Sequence, residues 1–222
     1  MEEATESTAP LSVERIFTYF PELAGTRAES QLRALGDLYT DWNAKINVIS
    51  RKDIQNLYER HVLHSLALVK FTSFEPGARI LDLGTGGGFP GVPLAIYYPD
   101  VEFFLIDGRK KKLKVIEEVA AAIGVSNVRT KHVRAEDCRY KADFVVSRAV
   151  APLSQLLSWS RPLIRGEQEH GIPNGLLCLK GGRQLDAEVN ELGCGEYVER
   201  VELSRFFEED FFQEKEIVYV QG

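Results

Sequence analysis

Three cysteines in 222 residues, Cys138, Cys178 and Cys194, are too few and too unevenly spaced for a disulfide framework. No Cys-x-x-Cys pair occurs, which argues against metal and disulfide roles and for idle thiols in a reducing compartment. No apolar run approaches the roughly 20 residues that span a bilayer. The opening Met1-Glu-Glu-Ala-Thr-Glu-Ser7 is acidic and polar, so no leader is expected, and a cytoplasmic protein without a membrane partner is. Also missing are a Gly-x-Ser-x-Gly elbow, a His-Glu-x-x-His pair and a two-carboxylate hydrolase signature. Covalent and zinc-assisted hydrolysis therefore have no sequence support.

Positive charge is short overall, with a net charge of −6, but it is unevenly spread. Between Asp107 and Arg148 eleven Lys/Arg stand against six Asp/Glu, whereas Asp186 to Glu216 carries eleven acids and three bases. The first segment can present a basic face on an acidic protein, and a binding field depends on that local distribution.

Residues 1–10 read as a disordered lead. A helical extension follows over 11–75: Leu11 to Phe20, then Leu32, Leu35, Leu38, Tyr39 and Trp42 at helical spacing, then Ile54 to Val69. After Pro76-Gly77 the pattern changes to strands alternating with helices, giving a second region over 76–222 that forms one unit with the extension. Strands are expected at 79–83, 101–106, 128–133, 144–146 and 175–179, with two late antiparallel strands near 197–203 and 216–220. This predicts a mostly parallel α/β sheet covered on both faces, with its ligand site beyond the carboxyl ends of the strands.

The densest signal is Ile80-Leu-Asp-Leu-Gly-Thr-Gly-Gly-Gly-Phe-Pro90, an apolar run meeting Asp82 and a turn with Gly84, Gly86 and Gly88. Asp107 closes the next apolar run, where an acid accepts hydrogen bonds from ribose hydroxyls. The dinucleotide fingerprint needs its third glycine at position 89, which is Phe89, and no Lys-Ser/Thr follows for a P-loop. A nucleoside without phosphates remains, and S-adenosylmethionine is the common cofactor of that kind. Asp82 is placed to orient the turn and to face the cofactor's ammonium group, directly or through water, with a purely structural turn acid as the competing reading. Ala135-Glu136 follows the third strand, where such pockets meet adenine, with a solvated Glu136 as the competing reading. Ser147-Arg148 ends the fourth strand; Arg148 either holds phosphate or base by forked hydrogen bonds or pairs with Asp82 or Asp143. Arg60, His61, Lys110, Lys111 and Lys180 are candidates for attracting RNA, with a packed, satisfied histidine as the plainer reading of His61 and His64.

The chain resembles the bacterial small-subunit ribosomal RNA guanine-N7 methyltransferases, the glucose-inhibited division protein B family. The resemblance rests on Trp42-Asn43-x-x-x-Asn47, Glu59-Arg60-His61-Val-Leu-His64-Ser65-Leu66, the run Asp82 to Leu94, Arg134-Ala-Glu136, Ser147-Arg-Ala149 and Leu179-Lys-Gly181. It implies a class I, Rossmann-like S-adenosylmethionine-dependent methyltransferase, with 16S rRNA or the small ribosomal subunit as partner and a guanine in the decoding region as target. It further implies cofactor contacts from Gly84, Phe89, Ala135, Glu136 and Arg148, added to those from Asp82, Gly86 and Asp107, with Arg148 as the residue beside the reaction. A monomer is expected. His64 departs from the family's pattern, where many relatives look to have Asp. Another class I RNA methyltransferase, an NAD-linked oxidoreductase and a non-catalytic RNA-binding module remain the rivals.

Overall fold

The computed structural model describes residues 12–148 and 150–222, so the expected disordered lead at 1–10 lies outside the described residues. Seven strands form one sheet: β1 (Arg79–Leu83), β2 (Glu102–Asp107), β3 (Val128–His132), β4 (Phe144–Arg148), β5 (Gly175–Gly181), β6 (Val198–Glu202) and β7 (Lys215–Gln221). Their order is β3-β2-β1-β4-β5-β7-β6, parallel from β3 through β5 and antiparallel at the β5–β7 and β7–β6 pairings. The chain runs outward from β1 to β3 and then returns to β1's other side as β4. That reversal opens a crevice above β1 and β4.

The first two helices are α1 (Glu14–Tyr19) and α2 (Arg27–Lys45). Next come α3 (His64–Phe71), α4 (Gly91–Tyr97) and α5 (Lys110–Ala122), and then α6 (Leu153–Ser160) and α7 (Leu185–Glu191). The apolar stripe of α2, including Leu32, Leu35 and Tyr39, joins Leu66, Val92 and Ile116 in one buried cluster that also holds Ile80 and Leu105 of the sheet. The opposite face of the sheet packs Leu81, Val145 and Leu176 against Leu153, Leu156 and Leu185 of α6 and α7. The helical extension thus shares the sheet's own core.

Two side chains tie the extension to the site. Asn43 folds the chain back after α2 by accepting hydrogen bonds from the Val48 and Ile49 amides, both at 2.9 Å. Tyr39, fully buried, donates its hydroxyl proton to the Gly87 carbonyl at 2.6 Å. The helix expected over Ile54 to Val69 is not uniform. Ile54–Asn56 is a 3₁₀ turn and Leu57–Leu63 a π-helix before α3 begins. A wider turn re-aims the side chains it carries, and it falls on Arg60 and His61.

Candidate active site at the switch point

Every residue of the glycine turn is placed by something beneath it. Asp82, fully buried, accepts from Thr85 Oγ1 at 2.6 Å and the Gly91 amide at 2.8 Å, both on Oδ2. A Cβ at Gly91 would stand 2.7 Å from that oxygen, so only glycine lets α4 start here. Of the two roles expected for Asp82, the arrangement supports orienting the turn. Its Oδ1 is buried without a partner.

Burial pushes the Asp82 carboxyl up to about 7, against the lowering effect of its hydrogen bonds and of Arg148. The fold therefore penalises the ionised form, and stability is lost as pH rises from the unfolded value near 4 through 7. Asp82→Asn keeps an acceptor for Thr85 and Gly91 and cannot ionise. Its unfolding free energy relative to wild type should rise by up to about 4 kcal/mol between pH 4 and pH 8. A difference flat across that range, measured by denaturant titration, would contradict the assignment.

Above the turn lies an open cleft of about 510 Å³, lined by Gly84, Asp107, Arg109, Ala135 and Glu136, with Trp159 of α6 and Val150 on its walls. Gly84 has φ +73°, and a Cβ there would meet Val150 Cγ2 at 2.7 Å. Asp107 is held by the Gly86 amide at 3.0 Å and the Arg109 amide at 2.7 Å, one on each carboxylate oxygen. Each oxygen keeps a second acceptor position, which suits a cis-diol. Glu136 is exposed beside Arg134. Trp159 and Arg109 were not legible in the sequence; an aromatic in the last turn of a later helix carries no local motif that announces a cleft.

Arg148 ends β4 and turns to neither acid proposed for it. Its Nη1 donates to the Arg60 carbonyl at 2.9 Å, its Nη2 meets His61 Nδ1 at 2.9 Å, and its guanidinium lies over the Phe89 ring at 5.3 Å. Asp143 instead pairs with Arg165 at 2.8 Å and accepts from the Arg79 amide, at the opposite end of the sheet. Burial lowers the Arg148 pKa to about 10, so the group is still a cation at neutral pH. An arginine donates only, so His61 accepts at Nδ1 and carries its proton on Nε2. Burial, then the charges of Arg148 and Arg60, push His61 down to about 3, leaving it neutral. It is an acceptor that aims Arg148.

Phe89, expected at the cofactor, is 3% exposed and packs among Tyr39, His61 and Arg148 instead of lining the cleft. Its side chain shapes the floor beneath Arg148. Lys180 donates to the Ala151 carbonyl at 3.0 Å and is ion-paired with Glu188, so its ammonium holds the segment after β4 and is not free for a phosphate. Lys110 and Lys111 are exposed at the first turn of α5, which contains no acid. Cations at that end oppose the helix dipole, a cost that a bound anion relieves.

The comparisons with known proteins bear on this site. A sequence profile described as "GidB: rRNA small subunit methyltransferase G" matches residues 28–206. The chain belongs to that family. It is 53% identical over 208 residues to the ribosomal RNA small subunit methyltransferase G of Phocaeicola vulgatus, covering 94% of this chain and 98% of that one. The corresponding protein of Porphyromonas gingivalis is 51% identical over 223 residues, 99% of each chain. Membership in the methyltransferase G family thus extends past Gly181, the last residue of the motifs that carry the resemblance, into the acidic C-terminal region. Among solved structures, a SAM-dependent methyltransferase of Aquifex aeolicus superposes with a TM-score of 0.57 at 17% identity, covering 78% of this chain and 98% of that one. An rRNA methylase of Streptococcus thermophilus gives 0.50 at 12% identity, covering 72% and 93%. At such identities these two establish the class I fold alone, as expected from the strand order. No helix among the described residues is long and apolar enough to cross a membrane.

Proposed function

We propose that the protein binds S-adenosylmethionine in the cleft over β1 and transfers its methyl group to N7 of a guanine in the decoding region of 16S rRNA. The observation that carries this reading is the pairing of Asp107 with the Gly84–Gly86 turn across one cleft, with Arg148 at the adjoining strand end. Family membership supplies the reaction class, and the residues supply the division of labour. Asp107 receives the ribose diol. Ala135 and Glu136 flank the adenine, with Trp159 on the wall behind them. Gly84 and Gly86 leave room for the methionine portion.

When bound, the donor supplies an electrophilic methyl on a sulfonium. Guanine N7 already offers a lone pair, so the protein has no proton to remove and needs no general base. Its task is to align acceptor, methyl and sulfur, and positioning of this kind supplies a large share of such barriers. Arg148, aimed by His61 and the Arg60 carbonyl, is the residue beside the acceptor, and Lys110 and Lys111 extend the basic face.

Incubating small-subunit rRNA with the protein and labelled donor, then mapping the label, tests this. Label at N7 of one guanine is expected; label on another atom, or transfer only to protein, would defeat the reading. The lysines have their own test. Lys110→Gln with Lys111→Gln should flatten the slope of log affinity for rRNA against log salt by roughly 1.5, since each phosphate contact is worth about 0.7–0.9. A slope unchanged by the double substitution would remove them from the interface.

A further inference from the structure

Arg148 lines a second cavity, of about 360 Å³, between the π-helix and the ends of β5 and β7. Its wall carries Arg60, His61, His64, Arg148, Lys180 and Lys215, against one acid, Asp53. Asp53 is taken by Arg60 at 2.8 Å, and Lys180 by Glu188. Two cations are left over. Arg148 is bonded only to a neutral carbonyl and a neutral imidazole, and Lys215 has no acidic partner among the described residues, its ammonium lying 5.3 Å from the Phe211 ring. His64, 5% exposed, reaches this wall with Nε2 unpartnered, and His61 Nε2 and Arg60 Nε are likewise buried without partners. Unpaired charge and unsatisfied polar groups in a half-enclosed space are costly. They persist where a ligand completes the set.

We infer that this cavity receives one phosphate group of the RNA next to the target guanine, with Lys215 and Arg148 as its counter-charges; the inference rests on the methyl-transfer reading above. The ligand is an anion because the wall holds a surplus of cations, with His61 Nε2 and Arg60 Nε as buried donors that lack a partner. A backbone phosphate fits better than a second base, since the aromatic ring present, Phe211, is already covered by Arg60 and Lys215 at 5.5 and 5.3 Å. Gripping the phosphate beside Arg148 would fix the distance from backbone to cleft, and so select which base reaches the methyl.

The test is binding and turnover of a small-subunit rRNA fragment by Lys215→Gln, with Lys215→Arg as the conservative variant. Lys141→Gln, at the exposed approach to β4 on the opposite end of the sheet, controls for charge alone. Lys215→Gln is expected to weaken rRNA binding about tenfold and to reduce the salt slope by roughly 0.7–0.9, one phosphate's worth. Donor affinity should be unchanged, Lys215→Arg should keep both values near wild type, and Lys141→Gln should leave the slope alone. An unchanged slope in Lys215→Gln, or an equal fall in Lys141→Gln, overturns the phosphate site while wild-type methylation leaves the parent reading standing. A wild type that binds rRNA with the expected slopes but transfers no methyl would overturn the parent reading instead.

Discussion

Arg148→Ala should lower kcat/KM for rRNA methylation by about 10²-fold, because misplacing the acceptor by an ångström costs on that order. Donor affinity should stay within about threefold of wild type, since Arg148, expected as a cofactor contact, lines the second cavity and not the cleft over β1. The fold should not suffer. The guanidinium is buried without a carboxylate bonded to it, so removing it relieves an unpaired charge at the same time as it frees two acceptors, the Arg60 carbonyl and His61 Nδ1. A Tm equal to or above wild type alongside lost turnover would show a residue kept for function against stability. Arg148→Lys should not rescue, since an ammonium cannot reach two acceptors in the plane of a fork. Normal turnover in Arg148→Ala would remove the residue from the mechanism.

Asp107→Ala carries the second large effect. Two hydrogen bonds from ribose hydroxyls to a carboxylate are worth about 1.5–3 kcal/mol each, so a loss of about 10²-fold in donor affinity is expected even with partial compensation by water. The substitution also releases the Gly86 and Arg109 amides, which adds disorder to the turn. Asp107→Asn separates the two contributions. It retains one acceptor oxygen and should fall between wild type and alanine. Calorimetry reads both, and an affinity within twofold of wild type in Asp107→Ala would contradict the ribose assignment.

Much of this was legible in the order of residues. The alternation of apolar runs with glycine and acid punctuation places β1 over 79–83 and β2 over 101–106, and the structure puts them at Arg79–Leu83 and Glu102–Asp107. The antiparallel close near 197–203 and 216–220 likewise appears as β6 and β7. What stayed hidden has physical reasons. A 3.6-residue period cannot announce a π-helix, whose burial pattern over Leu57, Val62 and Leu63 reads as one more turn of α-helix. Phe89 sits in the motif but points down into the core, a choice made by Tyr39 from 50 residues earlier. Lys180 looks free until folding brings Glu188 to it.

The C-terminal region gives the clearest case. Its eleven acids suggest a repellent for RNA, yet the fold consumes several of them in ion pairs: Glu208 and Glu209 on Arg15, Asp186 and Glu216 on Arg200. Lys215 and Phe211 are left beside the second cavity. Net charge along a segment says little about the field at a pocket once the fold has turned its acids toward other partners.

A crystal grown with S-adenosylhomocysteine would test the core of this account most directly. The account requires both ribose hydroxyls within about 3 Å of the Asp107 carboxylate and the sulfur turned toward Arg148. The nucleoside seated instead in the Arg60–Lys215 cavity, or bound with Asp107 untouched, would contradict it.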